Sequence, residues 1–324
     1  MARYLIINTG GTIGMAESPQ GLTPKAGLLQ QTLAQHPELA PWQQHDLQWH
    51  EWQPLIDSSD IHPSHWYELA LLIRQTDADA VLVVHGTDTL AYTAAALSFL
   101  LSDCATPVVI TGAMRPLSAA ENDGVSNLLT ALAALEARRP EVIVAFSGVP
   151  LPGSRISKID TAADHAFATP NWSEALWSLP APARSRPLEK AWRPSAIGVQ
   201  TLFPGMPMDG LMSMIERNYR ALVLNVYGSG NVMADAAFQR ILHRAADQQR
   251  PVFVRSQCLY GSVQLGQYAT SALLTEIDAT PCGGMPLEAV ITKLQILCAE
   301  FDHGEDVTRG FLEPWAREWQ VLES

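Results

Sequence analysis

Tyr4-Leu5-Ile6-Ile7, followed without a break by Asn8-Thr9-Gly10-Gly11-Thr12-Ile13-Gly14, is the stretch that decides the fold. A short apolar run that stops at a glycine turn reads as a buried strand whose carboxyl end opens into a loop. The pattern returns where Ala80-Val81-Leu82-Val83-Val84 runs into His85-Gly86-Thr87-Asp88-Thr89. In open parallel sheets ligands bind in the crevice beyond the carboxyl ends of the strands, and a glycine there lets substrate approach the backbone closely. Gly11 and Gly86 are therefore candidate substrate-binding positions. Thr12 and Thr87 beside them point to covalent hydroxyl chemistry.

Outward from these two stretches the chain alternates. Apolar runs at 4–7, 81–84, 107–111 and 142–146 are separated by segments of helical period at 64–75, 90–101 and 125–137, and Leu47 to Leu55 reads as an additional strand running into Asp57-Ser58-Ser59-Asp60. Such alternation predicts an α/β fold, a doubly wound, mostly parallel sheet in a large N-terminal domain. The Pro-rich region 179–207 has little periodicity and predicts the interdomain connection, giving domains at 1–185 and 208–324 with a linker at 186–207. In the second half Ala221–Val226 and Val252–Val254 read as strands and 208–217, 234–247 and 286–300 as helices, a smaller α/β domain. A further glycine turn, Asn225-Val226-Tyr227-Gly228-Ser229-Gly230-Asn231, follows the first of those strands.

Composition narrows the function classes. At 324 residues the chain is long for one domain, since a prior of about 150 residues each predicts two. Its 47% hydrophobic and 17% charged residues are those of a soluble globular protein, with no apolar run near the ~18 residues a membrane span needs. The formal charge of −12 repels phosphate backbones, so no nucleic acid partner is expected. The glycine turn arrives by Gly10, too early for a secretory leader ahead of it, and a cytoplasmic protein is expected. Cys104, Cys258, Cys282 and Cys298 are scattered without zinc spacing and read as reduced thiols, Cys104 and Cys298 in the core and Cys258 a candidate for lining a site.

A threonine hydroxyl is a poor nucleophile until something takes its proton. His85 ends an apolar strand and reads as a core or capping histidine rather than a base, while Asp88 fits either the N-cap of the next helix or a substrate contact. His62 and His65 with Asp57 and Asp60 suit a helix start at Pro63 better than a metal cluster, so no metal is expected. Gly10–Gly14 lacks the G-x-G-x-x-G spacing of a dinucleotide turn. Thr111-Gly112-Ala113-Met114-Arg115-Pro116 brings another strand end to the crevice.

Taken together, Asn8–Met15, Asp57–Asp60, His85–Thr89, Thr111–Pro116, Ser157–Asn171 and Tyr227–Asn231, in this order, resemble the bacterial type I, cytoplasmic L-asparaginases. The similarity covers essentially the whole chain. It implies a two-domain α/β hydrolase of L-asparagine that needs no cofactor and assembles as a homotetramer, each active site lying between the two subunits of an intimate dimer. By the resemblance Thr12 matches the acylated nucleophile. Thr87 and Lys158 with Asp88 match a second triad that handles protons, and Asp88 also holds the substrate amino group. Ser58 and Ser59 match the grip on the α-carboxylate, the Ala113 carbonyl the contact to the amide nitrogen, and Asn231, from the neighbouring subunit, a support of the amino-group site. The family's lid tyrosine is missing, since Leu22 stands at its place in the Pro/Gly-punctuated loop Glu17–Pro24, and Tyr260 and Tyr268 are the substitutes to consider. An ordinary lysine is protonated at neutral pH, so Lys158 accepts a proton only where burial or charge lowers its pKa. Two other classes stay in view: a non-catalytic amino-acid sensor, which intact Thr12, Thr87, Asp88 and Lys158 argue against, and an ammonia-feeding amidotransferase subunit, which usually has an extra N-terminal domain and a partner protein.

Overall fold

Strand β1 (Arg3–Asn8) is buried from Tyr4 onward, and its neighbours explain why. It lies between β4 (Asp46–Glu51) and β5 (Ala80–Val84), paired in parallel with both, and the sheet continues through β6 (Val108–Thr111) and β7 (Val142–Phe146) to β8 (Val149–Pro152) in the order β4-β1-β5-β6-β7-β8. Parallel strands covered on both faces need continuous apolar runs, which is why β5, β6 and β7 are buried at every residue. Only β8 runs antiparallel, turning back on β7 through Ser147 and Gly148 at positive φ.

The computed structural model describes residues 1–19, 21–184, 188–217, 219–266 and 271–319, so Tyr268 lies outside the described residues. The chain divides into two compact units, Met1–Thr169 and Pro170–Ser324. In the first unit β1 is followed by a hairpin, β2 (Met15–Ser18) with β3 (Gly21–Pro24), and by helix α1 (Leu28–Gln35) before β4. The loop expected after the first motif is thus an antiparallel ribbon carrying exposed Leu22. Strand β4 ends at Glu51, short of the expected Leu55, in a segment where Pro54 can donate no ladder hydrogen bond.

Helices α2 (Pro63–Gln75), α3 (Leu90–Leu100) and α4 (Gly124–Glu136) make the crossovers. His62 caps α2, its ring accepting the Ser64 N–H while the His65 ring accepts the His62 N–H, which realises the helix-start reading. Every residue of α3 except Tyr92 is buried; a helix apolar on all sides belongs to the interior. A short hairpin of β9 (Ser157–Lys158) and β10 (Phe167–Ala168) completes the unit. At the opposite, amino-terminal edge of the sheet a charged lattice joins the strand starts: Arg3 pairs with Asp77 at 2.6 Å, its N–H is bound to Asp79, and Arg138 reaches the same carboxylate.

The second unit has its own parallel sheet of β11 (Ile197–Thr201), β12 (Ala221–Val226), β13 (Val252–Ser256) and β14 (Thr280–Pro281) in that order. Strand β11 falls inside the stretch 186–207 that was expected to link two domains. Helices α5 (Asp209–Glu216), α6 (Ala236–Asp247), α7 (Ala272–Glu276), α8 (Leu287–Glu300) and α9 (Gly304–Leu312) accompany it. On α6 the buried residues Phe238, Ile241, Leu242 and Ala245 follow helical spacing, and Asp235 caps its N-terminus through the Ala237 and Phe238 N–H groups. Lys293 of α8 is wholly buried against Glu318 at 2.6 Å and also donates to the Phe311 and Glu313 carbonyls.

All four cysteines are free, with Cys282 and Cys298 buried so that the loss of solvation pushes both thiols up. Cys104 corrects an expectation: it lies past the end of α3 and is half-buried rather than core. Among the described residues no helix is long and apolar enough to cross a membrane and no cluster of metal-ligating side chains is present.

Candidate active site

Counting only the parallel strands of the first unit, chain order 1 to 5 appears across the sheet as 2-1-3-4-5. In that arrangement the connections leave in opposite directions on either side of β1, and the crevice opens between β1 and β5, beyond their carboxyl ends. The registers align those ends. Asn8 pairs with Val84, Val84 with Thr111, the Thr9 N–H donates to the Val84 carbonyl at 3.0 Å and the His85 N–H to the Thr111 carbonyl at 2.9 Å.

The loops meet backbone to backbone. At Gly11, with φ +96°, an added Cβ would stand 2.5 Å from the Gly86 Cα, and at Gly86 it would stand 2.6 Å from the Ser58 hydroxyl oxygen. Only glycine fits either position. Thr12 and Thr87 are each one residue from this contact, Thr12 half-buried at the start of a single 3-10 turn and Thr87 buried. Ser58 is buried under Gly86, and its carbonyl accepts the Thr89 hydroxyl at 2.6 Å, tying the loop after β4 to the loop after β5. Ser59 is exposed; its N–H and hydroxyl both donate to Asp57, which holds that carboxyl below the usual range.

Lys158 reaches the same place from the β9–β10 hairpin. Its Nζ donates to the Thr87 hydroxyl at 2.9 Å and to the Asp88 carboxylate at 2.7 Å, with the lysine side chain 19% and the aspartate 67% exposed. Asp88 is therefore engaged with Lys158 and does not cap α3, whose N-cap is Thr89. Among the described residues the N–H groups of Gly11, Thr12, Gly86 and Thr87 donate to no protein acceptor. The site thus combines a hydroxyl pair, an ammonium, a carboxylate and free backbone donors suited to a negative oxygen.

Ala113 is buried at the end of β6. Two residues that sequence reasoning missed fix its loop: Asp123 accepts the Met114 and Arg115 N–H groups at 2.8 Å each, and Asn127 donates to the Gly112 carbonyl at 3.0 Å. A trans peptide points its C=O and N–H in opposite directions, so the bond at Met114 turns the Ala113 carbonyl away from Asp123. The only sequence signal was a pair of polar residues four apart at a helix start.

His85 is fully buried, both ring nitrogens are bonded, and burial pushes its pKa down to about 4. A neutral, wholly enclosed imidazole belongs to the scaffold, in agreement with its reading as a core histidine. Thr12, Ser58, Ser59, Thr87, Asp88 and Ala113 with Gly11 and Gly86 follow strand ends of the first unit and Lys158 lies on its β9–β10 hairpin; Asn231 belongs to the second, on the turn after β12, where its N–H and carbonyl bond back to Tyr227. Tyr260 is exposed in the second unit.

A family model for the N-terminal asparaginase domain matches residues 3–178, more than half the chain, and one for the glutaminase/asparaginase C-terminal domain matches 196–311. The chain belongs to the asparaginase family. Among curated members it is 37% identical to L-asparaginase 1 of Escherichia coli K12 over 306 residues, covering 90% of each chain. Among solved asparaginase structures it matches L-asparaginase I from Vibrio cholerae with a TM-score of 0.83 and 30% identity over 99% of both chains. The thermostable L-asparaginase from Thermococcus kodakarensis gives a TM-score of 0.83 at 26% identity, over 99% of this chain and 100% of that one.

Proposed function

We propose that this chain hydrolyses L-asparagine to L-aspartate and ammonia, with Thr12 as the nucleophile and Thr87, Lys158 and Asp88 moving the protons. The observation that carries the reading is Lys158 Nζ bonded at once to Thr87 and Asp88 beside a glycine-lined crevice into which the Thr12 loop opens. The lysine is mostly enclosed while its carboxylate partner stands open to the crevice, which leaves the pair accessible to a substrate. Membership in the asparaginase family and the names of the relatives agree with this reading.

In the first step Thr12 Oγ1 forms a bond to the side-chain amide carbon of asparagine. The hydroxyl proton passes through the Thr87–Lys158 pair to the amide nitrogen, and the carbon–nitrogen bond breaks to release ammonia. Water then attacks the ester carbon, the bond to Thr12 breaks, and a proton returns to Oγ1. Asparagine and water become aspartate and ammonia, with no cofactor. The developing oxyanion meets the free backbone N–H groups of the crevice. Ser58 and Ser59 take the α-carboxylate, Asp88 the amino group, and the Ala113 carbonyl the amide nitrogen. Asn231 of a second copy supports the amino-group site within a cytoplasmic homotetramer.

Ammonia release from L-asparagine by the purified full chain, followed in a coupled assay, tests the activity; no release identifies a sensor instead. Mass spectrometry of rapidly quenched enzyme tests the nucleophile, with an aspartyl adduct expected on Thr12 and an adduct on Thr87 alone overturning the assignment. One methylene separates asparagine from glutamine, a difference that pockets resolve by roughly 10- to 200-fold, and Ser59 is a small neighbour for the substrate. Asparagine is expected to be preferred, against equal kcat/KM on both.

A further inference from the structure

Three side chains beneath the second threonine motif take part in no step above, yet they form one hydrogen-bonded line. Trp66 Nε1 lies 3.1 Å from Thr93 Oγ1, Thr93 Oγ1 2.9 Å from His85 Nε2, and His85 Nδ1 2.7 Å from the Gly86 carbonyl oxygen. Thr93 and His85 are without solvent exposure and Trp66 is buried. The chemistry of the two ends fixes the direction of every bond. An indole N–H can only donate and a carbonyl oxygen can only accept, so Nδ1 carries the hydrogen of the neutral ring. Nε2 is then a bare acceptor, and Thr93 donates to it while accepting from Trp66. Neither ring nitrogen has a carboxylate among its hydrogen-bond partners in the described residues, and the Gly86 carbonyl alone does not offset the burial that disfavours a second proton.

The far end of this line is the peptide that leads into Thr87. With its carbonyl held by the buried ring, a trans peptide directs the Thr87 N–H the opposite way, out of the core. That N–H has no protein acceptor among the described residues, and the Thr87 hydroxyl beside it holds Lys158. We propose that Trp66, Thr93 and His85 are a positioning relay that locks the Gly86–Thr87 peptide so that its N–H faces the oxygen that becomes negative during attack on the amide. The inference rests on the amidohydrolase reading above. A backbone donor stabilises an oxyanion only when it is held at hydrogen-bond distance from where the charge develops, and loss of one such donor costs about 10²–10³-fold in kcat. A loop peptide in a glycine turn has no rigidity of its own; the relay ties it to α2 and α3.

The test uses the full chain with uniformly ¹⁵N-labelled histidine and four variants. In the wild type, one-bond proton coupling is expected at His85 Nδ1 and none at Nε2. Thr93→Val removes the donor to Nε2 and should lower kcat about 10- to 100-fold while KM and the affinity for L-aspartate stay within about threefold. Thr93→Ser keeps the hydroxyl and should restore kcat to within about threefold of wild type. Trp66→Phe leaves both bonds of His85 and should cost less than Thr93→Val. Should Thr93→Val fail to fold, Thr93→Ala carries the same expectation with less crowding. A proton on Nε2 in the active wild type, unchanged kcat in the valine and alanine variants, a loss that appears equally in KM, or no rescue by serine would overturn the relay. A wild type that carries the proton on Nδ1 but releases no ammonia from asparagine instead overturns the amidohydrolase reading, and with it the relay's catalytic purpose.

Discussion

Two lysines in this molecule each touch a carboxylate at nearly the same distance, 2.7 Å for Lys158 and Asp88 and 2.6 Å for Lys293 and Glu318, and they are built for different ends. Lys293 and Glu318 are both 0% exposed. The ammonium spends its hydrogens on the carboxylate and two backbone carbonyls, the carboxylate also accepts the Trp315 and Ala316 N–H groups, and the rings of Phe311 and Trp315 face the cation. Every polar atom is consumed within the protein. Lys158 instead holds a hydroxyl and a carboxylate that itself stands largely in solvent, on a crevice with unused backbone donors. A satisfied, sealed pair fixes a segment. An open one leaves chemistry to be done.

The comparison breaks most plainly by substitution. Lys158→Met should lower kcat by about 10²–10⁴-fold, with L-aspartate binding retained and the midpoint of urea unfolding unchanged. A variant with full activity would remove Lys158 from the chemistry. Lys293→Met should do the reverse. It leaves the Glu318 carboxylate buried without its cation, a loss of about 3–5 kcal/mol in unfolding free energy, and adding Glu318→Gln should recover part of it while kcat per folded enzyme stays constant. Equal stability of wild type and Lys293→Met in denaturant titrations would show that the sealed pair is not structural.

A smaller effect sharpens the contrast between sealed and open groups through pH. The His85 pKa is about 4 in the folded protein because burial disfavours the charged ring, against the ordinary 6.5. Between these values the unfolded chain holds a proton that the folded one does not, so this contribution is complete above pH 6.5 and falls away as pH drops toward 4. By pH 4.5 the loss relative to neutral pH is roughly 2–3 kcal/mol. Relative to wild type, His85→Asn should lose less stability between pH 7 and pH 4.5 by about that amount, and parallel curves for the two proteins would refute the buried neutral ring. The smallest change is expected at the exposed Arg3–Asp77 pair, where Arg3→Ala should alter stability by less than about 1 kcal/mol, less still in high salt, and leave kcat untouched.

Periodicity and glycine turns carried the reading of the first unit because β1, β5, β6 and β7 are buried on both faces and write continuous apolar runs into the sequence. What they could not carry is pairing. The 2-1-3-4-5 order that opens the crevice beside β1, the reversal of β8, and strand β11 within a Pro-rich stretch depend on neighbours distant in sequence. The hairpin over Met15–Pro24 is short and half exposed, and its residues alternate too briefly to register. Thr12, Ser58 and Thr87 could be placed at strand ends from local sequence, whereas Lys158 came only through likeness to known asparaginases, since a lysine in a loop looks like any solvated lysine. Asp123 and Asn127 offered only their four-residue spacing at a helix start, and Thr93 and Trp66 gave no signal of their own. Their partners lie in other elements, and a polar residue on a helix announces itself only once the facing loop is known.

The charged lattice on Arg3, Asp77, Asp79 and Arg138 has a bearing on how this protein can change over generations. It sits at the strand starts, a full strand length of roughly 16 Å from the loops that carry the threonines. Replacements there alter surface charge and solubility without reaching the residues that select the substrate. Lineages can therefore adapt to acidity, salt or crowding by drift along one rim of the sheet while selection holds the other rim still.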